Sequence, residues 1–490
     1  MKVTESYKAP GDHNPIMVQR FGADPYALEY KGRIYIYMTQ DFPERDDDGE
    51  ITENTYSKID KISVISSDDL VNWTDHGTVY AAGDNGAASW GKNSWAPAAA
   101  WKNIDGKDKF FLYFANSGNG IAVLTSDSPV GPFTDPIGKA LISRQTPTCA
   151  EVTWLFDPAV LMDDDGESYI YFGGGVPSED KASNPGTARV AKLGKDMISL
   201  EGDPRPIENV PYLFEDSGIN KIDGRYYYSY CSNFSMTKDA EKEQGFEQGE
   251  IVTMVSDDPM GPFEMCNPVL KNPEHFFGLG GNNHHCMFEF QGKYYITYHA
   301  RILEEKMGFL KGYRSTCVDE LVINEKKEPA KSTATRAGVA QIKNFDPYKE
   351  TKAVTMSNSA GISTRPFGDE AKKYGSGDMI VTDIKSGGFI RVSGVDFGAV
   401  PATKVEINVK RAIGFERSAV RGKVHVCIDK PDSEALEEVE ISMGERKGVS
   451  DEEGFMKFSS RLDTVVSGVH DIYFVFEGEG FEFYSWMFLK

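Results

Sequence analysis

Along its first 300 residues the chain repeats one pattern, a glycine turn between two short runs in which apolar and mostly aromatic positions alternate with polar ones. A period of two marks a strand with one buried face, and a glycine between two such runs marks a hairpin. Five copies stand out: YKGRIYIYMT around Gly32, IDGKDKFFLYFAN around Gly106, DDDGESYIYFGGG around Gly166, KIDGRYYYSYCSN around Gly224 and FQGKYYITYHAR around Gly292. These glycines lie 74, 60, 58 and 68 residues apart, room each time for one four-stranded antiparallel unit with its loops. A fainter motif follows three of the hairpins, SSDDLVNWTDHG near Trp73, TSDSPVGPFTDP near Phe133 and VSDDPMGPFEMC near Phe263, and predicts the outer strands of the units.

Radial repetition of small sheets leaves only short edges, so the five units predict an all-β fold with a five-bladed β-propeller. A β-sandwich with chance similarity among its hairpins is the competing reading. After EKKEPAKSTATRAG the pattern changes to short strands with polar turns, which predicts a second all-β domain, a β-sandwich of the jelly-roll kind. The expected boundaries are 1–343 and 344–490. A length of 490 residues agrees with two cores, because one core usually stops growing at roughly 250–300 residues.

Charge narrows the partners. A formal net charge of −22 with no basic stripe excludes a phosphate backbone as ligand, so no nucleic acid is expected. No apolar run reaches the roughly 18 residues of a membrane span, and no membrane contact is expected. The opening residues, MKVTESYKAPGDHNP, lack the apolar core of a secretory leader, and the six cysteines have no CxxC spacing. The expected location is therefore the cytoplasm, with reduced thiols; a leader lying outside this sequence would make the protein a secreted one instead.

The repeats also align candidate chemistry. Asp24 lies eight residues before Gly32, Asp157 nine before Gly166, Glu215 nine before Gly224, His284 eight before Gly292, and Trp95 eleven before Gly106. Taken singly, each acid reads as a turn cap or a solvated surface group. Taken together, three carboxylates, a histidine and a tryptophan at matching places on innermost strands converge on one axis. Carboxylates at apolar strand positions cost several kcal/mol unless paired or hydrated, which argues against a plain core. Glycosidic cleavage needs one acid to protonate the leaving oxygen and one carboxylate to activate water or attack the sugar. A third carboxylate raises the acid's pKa, and Trp95 offers a face to a sugar ring. A propeller that only binds glycans is the alternative from another class, and it predicts dispensable carboxylates and dominant aromatics.

The segments NPIMVQRFGADPYALEYKGRIYIYMTQD, SWAPAAAW, FDPAV, FEDSGINKIDGRYYYSY, GGNNHHCMFEFQGKYYITYHARI and GYRSTCVDEL resemble glycoside hydrolase family 43, the five-bladed-propeller arabinofuranosidases and β-xylosidases. The resemblance implies Asp24 as general base, Asp157 as the residue that orients and tunes the acid, and Glu215 as general acid, with inversion at the anomeric carbon. It also implies a hydrated calcium ion in the channel beside His284, most of its ligands being water because one imidazole suits a hard cation poorly. Arg314 is expected to contact sugar, and His285 is placed with the substrate-binding residues. Phe42 and Phe234, each after an inner hairpin, are expected to wall the pocket beside Trp95.

The last domain resembles carbohydrate-binding module family 6 in FDPYKETKAVTM, GGFIRVSGVDFG and VSGVHDIYFVFEG. It departs from that family's pattern at Lys352, Ala353 and Val354, at Phe455, at Glu482 and at Tyr484, so a buttress for the propeller or an edge to its active-site mouth is expected rather than an independent glycan binder. The function expected from the whole chain is α-L-arabinofuranosidase action on arabinoxylan or its oligosaccharides. β-Xylosidase action on xylo-oligosaccharides is the alternative.

Overall fold

The computed structural model describes residues 2–368, 378–445 and 454–490. Five antiparallel sheets follow one another along the chain. Blade I holds strands Ala23–Tyr30, Arg33–Thr39, Lys61–Ser67 and Trp73–Tyr80, and blade II Trp95–Ile104, Lys107–Ala115, Gly120–Ser126 and Ile142–Ser143. Blade III holds Ala159–Met162, Ser168–Phe172, Arg189–Lys192 and Arg205–Pro206, and blade IV Leu213–Ile222, Arg225–Ser232, Ile251–Ser256 and Glu264–Leu270. Blade V has three strands, His285–Phe290, Lys293–Ala300 and Ser315–Glu320. Each first strand touches the first strand of the next blade, and that of blade V touches that of blade I. The ring is therefore closed with five blades.

Four of the five hairpins turn on a residue pair with positive φ: Lys31-Gly32, Asp105-Gly106, Asp223-Gly224 and Gln291-Gly292. Two consecutive left-handed residues are the type I′ turn, whose twist matches that of the flanking strands. Blade III differs. Its strands separate after Met162, and Asp163 to Glu167 form a longer loop closed by the Asp163 N–H to the Glu167 carbonyl at 2.9 Å.

A seam closes the ring. The segment Asn14 to Gly22 runs along the outer strand of blade V, with Ile16 N–H donating to the Thr316 carbonyl at 2.9 Å and Gly22 N–H to the Arg314 carbonyl at 3.0 Å. The Asn14 side chain accepts from Val318 N–H at 2.8 Å and donates to its carbonyl at 3.0 Å. Residues from the two ends of the propeller sequence thus share one blade.

The second domain is a sandwich. One sheet orders Ser363–Phe367, Asp378–Thr382, Phe481–Leu489, Ala402–Arg411 and Met456–Val466, and the other Asn358–Ala360, Phe389–Asp396, Val469–Gly478, Val420–Ile428 and Ala435–Met443. Their facing apolar residues, among them Val405, Ile407, Phe474, Phe483 and Trp486, form one buried core. Glu482 is buried within an ion pair to Arg365 and accepts from the Thr382 hydroxyl at 2.8 Å. Phe455 and Tyr484 stack on one another at 4.1 Å and 14°, so each ring covers a face of the other. Lys352 pairs with Asp378.

The sandwich also completes blade I. Thr355–Met356 pairs with Trp73–Tyr80 as its fifth strand, and Asp75 N–H donates to the Val354 carbonyl at 3.0 Å. The buried Asp75 carboxylate takes a two-pronged ion pair from Arg20 and a 2.7 Å hydrogen bond from Thr364 of the sandwich. Asn72 and Ser393 exchange two hydrogen bonds across the junction. Gly77 lies so close to Met379 that a Cβ there would stand 2.8 Å from its sulfur. At the N-terminus the chain departs from the simple division, because Thr4 N–H donates to the Gly387 carbonyl at 2.8 Å and Val3 packs with Phe389, Cys427, Tyr473 and Val475 of the sandwich.

A truncated chain of residues 1–343 loses the fifth strand of blade I and the five hydrogen bonds that join Asp75 to Val354 and Thr364, Thr74 to Thr355, and Asn72 twice to Ser393, at about 1 kcal/mol each, or roughly 5 kcal/mol in all. It is expected to melt at least about 10 °C lower or to be recovered insoluble. Thermal melting of the fragment beside the full chain measures this, and coincident melting curves would identify the sandwich as a passenger.

Candidate active site

In four blades the first strand begins with the same backbone kink. Asp24, Ala96, Asp157 and Asp216 have φ of 47°, 43°, 49° and 71°, and in blades I, II and IV the strand register shifts at that point as a bulge. A left-handed non-glycine residue costs about 1–3 kcal/mol, least for Asp and Asn, and bulges of this kind re-aim side chains toward a site. Proline follows in three of the four, Pro25, Pro97 and Pro158, where the bulge requires no N–H donor.

The kink corrects the alignment expected from glycine offsets. The residue of blade IV that matches Asp24 and Asp157 is Asp216, and that of blade II is Ala96. Glu215 and Trp95 each stand one position earlier. Glycine offsets mislead because the hairpin of blade III is longer and the bulges insert residues unevenly. Four buried carboxylates, Asp24, Asp157, Glu215 and Asp216, therefore meet in this end of the channel where three were expected.

Arg314 organises one side. Its Nη1 donates to Asp24 Oδ1 at 2.8 Å, and its Nε and Nη2 donate to the two oxygens of Asp41, each at 2.9 Å. The Tyr56 ring lies 5.0 Å from the guanidinium carbon. Behind Asp24, His299 has its Nε2 3.0 Å from the Asn282 carbonyl and its Nδ1 3.2 Å from both the backbone nitrogen and Oδ1 of Asp24. Burial alone would raise the Asp24 pKa. Arg314, with His299 and His284, outweighs it and holds the carboxyl well below the ordinary carboxylate range.

Glu215 lies under opposite influences. Burial, followed by the charges of Asp157, Asp24 and Asp216, pushes its pKa well up, and Arg314 offsets this only in part. Burial and the Asp24 charge push Asp157 up as well. Both shifts favour one proton shared by the two acids. Asp157 Oδ2 accepts the Asp216 N–H at 2.9 Å, which favours its charged form, whereas Glu215 Oε1 is buried with no hydrogen-bond partner among the described residues. The proton accordingly belongs on Glu215. Gly174 lets its strand pass against this acid: a Cβ would stand 2.5 Å from the Phe214 carbonyl oxygen and 3.3 Å from the Glu215 Cα.

The rim is aromatic. Phe42 is 70% exposed, Phe234 is 44% exposed, and Trp95 is half-buried with its indole N–H donating to the Tyr56 carbonyl at 3.0 Å. Phe156, Trp154, Phe214 and Phe234 form a continuous wall, with successive ring centroids 5.2, 5.2 and 5.3 Å apart. Trp154 and Phe214 were not foreseen, although both flank motifs that were, TWLFDPAV and YLFEDSGI. Asp41, Asp216 and His299 also went unforeseen.

The expectation for His285 is overturned. The residue is 2% exposed, its Nδ1 is 2.5 Å from Asp216 Oδ2 and its Nε2 is 2.8 Å from the Ser229 hydroxyl. Both nitrogens are committed inside the protein, and no side-chain atom is left for substrate. His284 does face the acids: Nε2 is 3.1 Å from Asp216 Oδ1, and Nδ1 is 3.6 Å from Asp24 and 3.8 Å from Asp157. It offers a cation one nitrogen at most, and among the described residues no group of three or more His, Cys, Asp or Glu has metal-binding geometry. These donors fit a hydrated ion held through water and do not make a direct calcium cage.

The profile of glycosyl hydrolases family 43 matches residues 13–329, and that of carbohydrate binding module family 6 matches 352–490. An arabinoxylan arabinofuranohydrolase of Paenibacillus polymyxa is 46% identical over 486 residues, covering 96% of this chain and 73% of that protein. One from Bacillus subtilis strain 168 is 44% identical over 503 residues, covering 98% of this chain and 93% of that protein. The crystal structure of a family 43 arabinoxylan arabinofuranohydrolase from Bacillus subtilis in complex with cellotetraose aligns with a TM-score of 0.90 at 42% identity, over 100% of this chain and 99% of that one. An α-L-arabinofuranosidase from Clostridium thermocellum aligns with a TM-score of 0.52 at 38% identity, over 67% of this chain and 98% of that one. With one family profile spanning nearly the whole propeller and likeness to two arabinofuranohydrolases running almost end to end, this chain belongs to glycosyl hydrolases family 43.

Proposed function

We propose that the chain is an α-L-arabinofuranosidase that releases arabinose from arabinoxylan or its oligosaccharides by single displacement with inversion. The observation that carries this reading is the opposed setting of two buried carboxylates: Arg314 donates to Asp24 at 2.8 Å and favours its charged form, whereas burial and the neighbouring Asp157 favour the protonated form of Glu215. Asp24 takes a proton from water as the water oxygen bonds to the anomeric carbon. In the same step Glu215 gives its proton to the departing glycosidic oxygen, which leaves as an alcohol. Asp157 keeps Glu215 protonated until that moment. Arg314 keeps Asp24 charged and faces the sugar, and Trp95, Phe42 and Phe234 offer ring faces to it.

The substrate assignment is supported by the arabinoxylan arabinofuranohydrolases that resemble the chain nearly end to end. A panel of para-nitrophenyl arabinofuranoside, xyloside and galactoside with arabinoxylan oligosaccharides tests it. Arabinose release from the oligosaccharides and from the arabinofuranoside is expected, and dominant xyloside cleavage would transfer the assignment to β-xylosidase.

Calcium belongs to the same proposal. A hydrated ion near His284 would compensate part of the negative charge of Asp24, Asp157 and Asp216, and its ligands would be mostly water. Removal with a chelator is then expected to lower the melting temperature or activity only modestly, by no more than about 1–2 kcal/mol of apparent stability. Elemental analysis of the purified protein is the direct check, and a metal-free yet fully active enzyme would dismiss the ion.

A further inference from the structure

We propose that Asp41 is a positioning residue for hydrolysis, fixing the guanidinium of Arg314 so that its Nη1 meets the base Asp24. This rests on the assignment of Asp24 as base. Asp41 lies just beyond the second strand of blade I, and its side chain is fully buried, so it cannot touch sugar. It acts on Arg314 at three points: Oδ2 accepts the backbone N–H and Nε, and Oδ1 accepts Nη2, all at 2.9 Å. A two-pronged carboxylate fixes the plane of a guanidinium and its rotation, which one contact cannot do.

The electrostatics give the arrangement a second effect. One cation lies between two carboxylates, Asp24 and Asp41, so its charge is shared. With Asp41 neutral, the guanidinium is free to turn toward Asp24, and a base gripped by an undivided positive charge takes a proton from water less readily. The turn that delivers Arg314 is also held from behind. Glu304, wholly buried, accepts the N–H groups of Lys311 and Tyr313 at 2.8 and 3.0 Å. Arg314 therefore enters the site on a fixed backbone, and the setting of its side chain falls to Asp41.

The test is a double-mutant cycle in the full chain with Asp41→Asn and Arg314→Lys, assayed on an aryl arabinofuranoside and on arabinoxylan oligosaccharides. Asp41→Asn is expected to lower kcat about 10-fold on both substrates with KM changed less than about 2-fold, and to cost less than about 2-fold when added to Arg314→Lys. Losses that multiply, or a loss confined to KM, would overturn the proposal. Asp41→Glu, which keeps the charge and the two-pronged acceptor, is expected to recover most of kcat. A loss equal to that of Asp41→Asn would count against the role, and this variant also carries the test if the asparagine protein does not fold. Full activity of an Asp24 variant would remove the base assignment instead, which the cycle itself does not measure.

Discussion

Asp24→Asn lowers kcat by at least about 10²-fold on natural and aryl substrates alike, with little change in melting temperature. The size follows from the task, because water must lose a proton whatever group departs. The small effect on folding follows from three local facts. Asparagine tolerates the positive φ of 47° at this position, it can still accept from Arg314 Nη1, and Arg314 keeps both prongs of Asp41. The buried guanidinium is thus never left without an anion. Kinetics on both substrate types with a parallel melting curve measure the outcome. The anomer of the first product, read by NMR before mutarotation, is the companion check. A product of retained configuration would make Asp24 a nucleophile and remove the single-displacement mechanism.

Glu215→Ala separates substrates by their leaving groups. A xylan hydroxyl is a poor leaving group without a proton, and the expected loss there is on the order of 10²–10⁴-fold in kcat/KM. A nitrophenolate departs readily unprotonated, so the aryl arabinofuranoside is expected to lose much less. The protein should fold, since the change removes a buried acid whose Oε1 has no partner among the described residues and relieves its crowding by Asp157 and Asp216. Equal losses on the two substrates would take the acid role away from Glu215.

Much of the scaffold was legible because its signals are local. Glycine between aromatic alternations is a hairpin wherever it occurs, and five of them at blade-sized intervals leave few other folds. Asp24, Asp157 and Glu215 were legible because they recur near one offset. The offset nevertheless paired Glu215 with positions that belong to Asp216, since a bulge and a lengthened turn change residue counts without changing geometry. Asp41 was not legible. Its whole meaning is a contact with Arg314, 273 residues away, and nothing in TQDFP announces a buried acid. His285 was misjudged because two adjacent histidines look alike in sequence, while strand alternation turns one toward the acids and the other into the blade. Thr355–Met356 was equally hidden, since a two-residue strand carries no period.

The seam between blades I and V gives the enzyme an order of events during its own synthesis. Asp24 emerges from the ribosome early, and Glu215 follows near the middle of the chain. Arg314, which donates to Asp24 across 290 residues, arrives only with the last strand of the ring. A nascent chain halted within blade V would hold both acids but no cation to keep the first one charged, and Asn14 to Gly22 would have no strand to lie against. Activity should therefore switch on in a single step as the ring zips shut, and translation products that stop short should be catalytically silent.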